Sequence, residues 1–260
     1  MTKPRALILR APGTNCDRET AHAFERAGAE SVRVTLRRLA AEPGLLDDCR
    51  IVCIPGGFSY GDDIASGRIF AVELRVRLGD MLERFRDRGG LILGICNGFQ
   101  VLMQTGLLLP PGPDGRPQAT LAANTSGRFV DRWVQLRVAD GRCAFLHGIE
   151  RLELPVAHGE GRFATDSPET CRRLDSAGHL VLRYAADATG TNTNPNGAEA
   201  DVAGACDATG RVFGLMPHPE RFVDATQHPS WARRRWSEGF DPAADGAGLA
   251  IFASAVAAAR

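Results

Sequence analysis

Cys96 stands at the break in Leu91-Ile92-Leu93-Gly94-Ile95-Cys96-Asn97-Gly98-Phe99-Gln100, where a strand-like apolar run gives way to a helix-compatible stretch. A strand feeding straight into a helix lifts the side chain at the turn onto an exposed tip, and small neighbours such as Gly94 and Gly98 let the backbone bend tightly. The partial positive charge of the helix N-terminus beside the sulfur favours thiolate, the nucleophilic form. An acyl-transfer cysteine also needs a base and a group that orients the base. Met216-Pro217-His218-Pro219-Glu220-Arg221 offers both, an imidazole with a carboxylate two residues later, held between prolines at the end of a strand. The third requirement is an oxyanion hole, with one donor from the N–H of Asn97 and the other from a neighbouring turn. Pro55-Gly56-Gly57-Phe58 is the natural source, with Gly57 or Phe58 as donor.

Alternative readings stand beside these residues. His218 and Glu220 could belong to a solvated surface turn, and Gly56-Gly57 to a loop that is merely tight. Gly57-Phe58-Ser59-Tyr60-Gly61 formally matches a serine-hydrolase elbow, but that motif must lead directly into a helix, and Asp62 to Gly67 intervene. His158, in Pro155-Val156-Ala157-His158-Gly159-Glu160-Gly161, is a further candidate for the active cleft, with a structural histidine as the alternative. Cys16, in Pro12-Gly13-Thr14-Asn15-Cys16-Asp17, lies at a strand end without an obvious base and reads as structural.

The elements around these residues form an α/β pattern. Ala6 to Leu9 reads as a strand, Asp17 as the cap of a helix through Ala27, and Ser31 to Leu36 and Arg50 to Ile54 as further strands. Phe70, Leu74, Leu78, Met81, Leu82 and Phe85 recur at three- and four-residue intervals, which predicts an amphipathic helix from Ile69 to Arg88. Alternating strands and helices of this kind imply a mostly parallel twisted sheet covered by helices on both faces. The second half is β-rich, with strands expected at Phe129 to Val138, Leu152 to Val156, Leu180 to Tyr184 and Val212 to Met216, and a terminal helix from Ala247 to Ala259. One domain over residues 1–260 is expected, with a loop elaboration carrying a short helix at 223–248.

Composition narrows the chemistry. Of 260 residues, 44% are hydrophobic, enough to bury a full core, and 31 basic residues balance 31 acidic ones, so no global field draws the protein to nucleic acid or to a membrane. Arg233-Arg234-Arg235 between Trp231 and Trp236 accordingly reads as a solvated or partner-facing surface. Lys3 is the only lysine, which excludes a P-loop and an internal Schiff base. Seven cysteines, an odd number in a chain that needs no staples, point to reduced thiols and a cytoplasmic location. Cys49 and Cys53 read as packed core thiols, and without HExxH or paired CxxC spacing no metal site is expected.

Together these segments resemble the class I (triad-type) glutamine amidotransferases, which have a flavodoxin-like sheet, and within them the glutaminase subunits of the phosphoribosylformylglycinamidine synthases of purine biosynthesis. The resemblance covers about residues 5 to 222 and the terminal helix. Phe58-Ser59-Tyr60-Gly61-Asp62, Ala157-His158-Gly159-Glu160-Gly161 and Met216 through Arg221 select that subfamily. It implies Cys96 as nucleophile, His218 as base, Glu220 as its orienter, Gly57 and Asn97 as oxyanion contacts, and Gln100 as a holder of substrate L-glutamine. It further implies no cofactor in this chain, ATP and magnesium on a large synthetase subunit, and a small bridging subunit. Phe222 to Gly248 is longer than expected of the compact subunit, which touches the edge of the partner interface and not the chemistry. An amidotransferase of another pathway, a Cys-His peptidase or deglycase-like hydrolase, and a catalytically silent interaction module are the other readings.

Overall fold

The computed structural model describes residues 2–139 and 142–260. The first half alternates strands and helices: β1 (Arg5–Arg10), α1 (Asp17–Arg26), β2 (Glu30–Thr35), α2 (Leu36–Ala41), β3 (Cys49–Ile54), α3 (Arg68–Asp87), β4 (Leu91–Ile95) and α4 (Asn97–Thr105). The second half contributes β5 (Ala119–Ala123), β6 (Val130–Val138), β7 (Arg151–His158), β8 (Glu160–Thr165), α5 (Pro168–Ser176), β9 (Leu182–Ala185), β10 (Val202–Cys206), β11 (Val212–Leu215), α6 (Trp231–Glu238) and α7 (Leu249–Ala258). Among the described residues nine strands form one sheet in the order β2-β1-β3-β4-β11-β10-β9-β6-β7, and β5 and β8 pair separately.

The sheet is more evenly mixed than the sequence reading implied. Strands β2, β1, β3, β4 and β11 run parallel, whereas β10, β9, β6 and β7 continue the sheet by antiparallel pairing. The antiparallel flank is the β-rich second half, and β11 returns to the parallel core beside β4. From β1 the chain moves one way to β2, and from β3 the other way to β4. Right-handed crossovers therefore place α1 and α3 on opposite faces. The Phe24 ring of α1 meets Phe252 of α7 edge-on, with centroids 4.9 Å apart. On α3, Phe70, Leu74, Leu78, Leu82 and Phe85 are buried as the periodicity predicts.

Local chemistry explains several departures. Asp17 is not the cap of α1: Cys16 takes the N-cap position, and the Asp17 carboxylate instead pairs with Arg10 and Arg33, each at 3.0 Å. Two guanidiniums outcompete the free amides at the helix start. Pro155 lies inside β7 because β7 is the sheet's edge strand, so its missing N–H removes no ladder bond. The segment beyond Phe222 is anchored rather than loose. Trp133 packs against Phe222 at 4.9 Å and His228 at 4.3 Å between ring centroids, Arg234 pairs with Glu153 at 2.8 Å, and Arg26 binds both Asp224 and Asp245. Trp236 on α6 stands 88% exposed. All seven cysteines are buried free thiols.

Candidate active site

Strand β4 runs into α4 with one residue between them, and that residue is Cys96, at φ 50° and ψ −106°. Such a conformation costs a non-glycine residue about 1–3 kcal/mol and persists only where the surroundings impose it. Here the Cys96 N–H donates to the Leu215 carbonyl at 2.8 Å, which ties the turn to the end of β11. Gly98 lets α4 lie directly on β3, since a Cβ there would sit 2.7 Å from the Ile54 carbonyl carbon and closer still to its oxygen. The elbow expected from the sequence is thus built by backbone contact on both sides.

Because β11 is the parallel neighbour of β4, with Leu215 opposite Ile95, the residues just past β11 emerge beside Cys96. His218 is held there by its own N–H, donated to the Pro155 carbonyl at 2.8 Å, and its Nδ1 lies 2.6 Å from Glu220 Oε1. Both side chains are buried, at 1% exposure. Burial, the largest influence on the imidazole, opposes its charging. The Glu220 carboxylate and then Cys96 outweigh it and hold the His218 pKa well above the ordinary histidine value. Cys96, His218 and Cys16 converge on Gly56: a Cβ at Gly56 would lie 2.9 Å from His218 Cε1, 3.3 Å from Cys16 Sγ and 3.5 Å from Cys96 Cβ.

The oxyanion side is formed by the turn after β3. Gly57 adopts φ 143°, and a Cβ there would lie 2.8 Å from the Asn15 nitrogen, so the turn demands glycine. The Phe58 N–H is already donated to the Gly13 carbonyl at 3.1 Å. Of the two expected donors, Gly57 is therefore the one left, and the half-exposed Phe58 ring forms the rim of the cleft. Opposite, Asn97 opens α4, where helix geometry leaves its N–H without an intrahelical acceptor. Its side chain is clamped: Oδ1 accepts from the Ser59 hydroxyl at 2.6 Å, and Nδ2 donates to Asp62 at 3.2 Å and to Gln100 Oε1 at 3.0 Å. Gln100 in turn donates to the Glu160 carbonyl. Both ends of the Gln100 amide are thus engaged within the protein, and this residue braces the cleft wall as well as lining it.

A cleft of about 460 Å³ lies over the elbow and is lined by Cys96, His218, Gly57, Phe58, Gln100 and His158, with Asn15, Asp62, Glu160 and Arg221 among the rest. The structure thus brings Cys96, His218, Glu220, Gly57, Phe58, Asn97, Gln100 and His158 to one region. Ser59 opens only a four-residue 3-10 turn, Ser59–Asp62, broken by left-handed backbone at Tyr60 and Gly61, and the next α-helix begins only at Arg68; its hydroxyl is buried against Asn97.

Cys16 corrects the sequence reading. Its sulfur accepts from Arg221 at 3.2 Å, donates to Asn15 Oδ1 at 3.3 Å and lies near enough to His218 to act on its ring. Cys16, His218 and Glu220 each bring one ligand atom within 4.8 Å of the others; Cys16 Sγ bonds Arg221 and Asn15 and His218 Nδ1 bonds Glu220 Oε1, while His218 Nε2 and Glu220 Oε2 are buried without a partner among the described residues. Sequence reasoning missed Cys16 and Arg221 because the adjacency of β1 to β3 is a property of the sheet order. The one local signal, the Pro12-Gly13 pair just after β1, marks a turn but not what faces it.

Comparison with known proteins follows the same lines. Residues 3–257 match the family model described as a CobB/CobQ-like glutamine amidotransferase domain. The chain is 48% identical over 261 residues to phosphoribosylformylglycinamidine synthase subunit PurQ of Dehalococcoides mccartyi, covering 100% of this chain and 99% of that protein. It is 42% identical over 252 residues to the phosphoribosylformylglycinamidine synthase of Homo sapiens, covering 89% of this chain but 18% of that much longer one. In the solved structure of PurLQS from Thermotoga maritima, one chain superposes with a TM-score of 0.73 at 33% identity, covering 98% of this chain and 99% of that one.

Proposed function

This chain belongs to the CobB/CobQ-like glutamine amidotransferase family, and on that footing we propose that it is the glutaminase subunit of a phosphoribosylformylglycinamidine synthase. It hydrolyses L-glutamine and hands the ammonia to an ATP-dependent synthetase in purine biosynthesis. The observation that carries the chemistry is the meeting of Cys96, on its strained elbow, with the buried His218–Glu220 pair. The choice of pathway is supported by the full-length kinship to a PurQ subunit.

In this reading the Cys96 thiolate attacks the substrate's side-chain carboxamide carbon. The oxyanion that forms is met by the N–H groups of Gly57 and Asn97, and His218 delivers the proton that lets ammonia leave. Glu220 keeps the imidazole oriented through Nδ1. Water, deprotonated by the same imidazole, then cleaves the glutamyl thioester to glutamate. Free ammonia would become protonated in bulk water and lose its nucleophilicity, so it passes to the partner by a protected route. ATP and magnesium reside on that large synthetase subunit, and a small bridging subunit completes the assembly. The Dehalococcoides mccartyi relative, named as a subunit and matched over 99% of its length, supports the idea that separate chains supply the remainder. Residues 1–260 act as one domain, with 223–248 as an elaboration at the edge of the assembly. Unpaired thiols suit a cytoplasmic enzyme, and no helix among the described residues is long and apolar enough to cross a membrane.

The test mixes the purified chain with its synthetase and bridging subunits and follows glutamate release. The isolated chain is expected to be slow, and the assembled, ligand-loaded complex much faster. Equal rates with and without the partners, or cleavage of peptides without preference for glutamine, would overturn the assignment.

A further inference from the structure

His158 is buried, at 3% exposure, on the wall of the cleft that holds Cys96, and the glutaminase mechanism above does not use it. Its protonation can be read from its neighbour. The Asn124 side chain donates through Nδ2 to two carbonyls, those of Arg128 at 2.9 Å and of His158 itself at 2.8 Å. This fixes the orientation of the amide, so Asn124 Oδ1 is the atom that faces His158 Nδ1 at 3.1 Å. Nδ1 must then carry the hydrogen, and Nε2 is left as a bare lone pair. That Nε2 is buried with no hydrogen-bond partner among the described residues, a costly state for a polar atom unless a ligand completes it. Burial, followed by the nearby charge of His218, lowers the pKa to about 4, so the ring stays neutral at physiological pH.

The position of His158 suggests which group completes it. The preceding carbonyl, that of Ala157, lies 3.8 Å from Cys96 Sγ, so the end of β7 faces the nucleophile. With the carboxamide oxygen directed at the N–H groups of Gly57 and Asn97, the other substituent on the attacked carbon is NH2, which has two hydrogens and needs acceptors. We propose that His158 Nε2 accepts a hydrogen bond from the substrate's carboxamide NH2 and so selects glutamine over glutamate. A carboxylate would present a lone-pair-bearing, negative oxygen at the same point, against an acceptor that has no proton to offer. This deepens the glutaminase reading and rests on it. His158 acts here as a specificity-determining residue and takes no part in bond making.

The experiment compares His158→Phe and His158→Gln with the wild type in the assembled synthase, using two probes. Glutamine turnover requires the NH2 contact. Alkylation of Cys96 by the diazoketone analogue of glutamine does not, because carbon replaces that nitrogen. His158→Phe is expected to lower kcat/KM for glutamine by about 10–100-fold while leaving the alkylation rate within about twofold. His158→Gln, whose amide oxygen can take the place of Nε2, should regain much of the loss. Parallel loss of turnover and alkylation would mean that the residue only supports the fold. Unchanged turnover in His158→Phe would mean that the contact does not exist, and either result overturns the proposal. Should His158→Phe not fold, the wild type decides: the γ-methyl ester of glutamate, lacking N–H donors, must show a KM at least about tenfold above that of glutamine, and equal values overturn the proposal. Failure of the glutaminase reading itself is distinct, appearing as absence of glutamate release by the wild-type assembly.

Discussion

Substituting Gly98 by alanine probes whether the elbow depends on the close seating of α4 on β3. Cβ contacts in real proteins essentially never fall under 3.0 Å, and the added methyl would lie 2.7 Å from the Ile54 carbonyl carbon, with the oxygen nearer still. Neither atom is the flexible end of a side chain, so relief requires the two backbones to part by about 1 Å at the first turn of α4. Overpacking of this kind costs about 1–3 kcal/mol, which for a chain of this length lowers Tm by roughly 2–10 °C. The functional loss should be larger. Asn97 and Cys96 move with that turn, and a displacement of about 1 Å of reacting groups costs on the order of 100-fold in rate. The control is Gly106→Ala at the end of the same helix, where φ is +81° and none of the described residues comes within 4 Å of the new atom. It should lose about 1–2 kcal/mol from backbone strain without disturbing the site. The assay is the assembled synthase supplied with glutamine or with ammonium salt, because free ammonia bypasses the glutaminase. Gly98→Ala should lose glutamine-dependent synthesis about 100-fold and keep ammonia-dependent synthesis. If Gly98→Ala behaves like Gly106→Ala with glutamine, the argument from backbone seating is wrong.

Further predictions address the triad and its supports. Glu220→Gln should lower glutamine turnover by up to about 10⁴-fold with the fold retained, as expected when the orienter of a catalytic imidazole is neutralised; steady-state kinetics of the assembly decides this. His218 holds its proton above the ordinary histidine range, so its contribution to stability is complete below about pH 6.5 and is lost as pH rises through the raised folded value. Urea unfolding from about pH 6.5 to about pH 9 should show that loss in the wild type and a shallower dependence in Glu220→Gln, and identical slopes would refute it. Cys96→Ala should abolish thioester formation, whereas Ser59→Ala should keep the thioester and lose about 1 kcal/mol, the worth of one buried hydrogen bond to Asn97; trapping with labelled glutamine separates the two. Asp17→Asn removes pairs with two guanidiniums that are more than a third exposed, and should cost no more than about 2 kcal/mol in denaturant unfolding, with turnover unchanged.

What the sequence determined by itself was whatever neighbouring residues enforce on one another. The spacing of Phe70 through Phe85 made α3, the apolar run before Cys96 made β4, and the short reach from His218 to Glu220 let one loop carry both partners of a hydrogen bond. The glycines around Cys96 announced a tight turn for the same local reason, although the atom that requires Gly98 belongs to Ile54, far away in the chain. Tertiary structure decided the rest. Strand–helix alternation implies parallel pairing but not the order of the strands, so nothing in the local pattern placed β11 beside β4 or β1 beside β3, and those two adjacencies deliver His218 and Cys16 to the elbow. The antiparallel flank and the β5–β8 pair depend likewise on partners remote in sequence. The state of His158 was beyond sequence altogether, because its lone pair is set by how Asn124 turns its amide between two carbonyls, and only the folded chain supplies those.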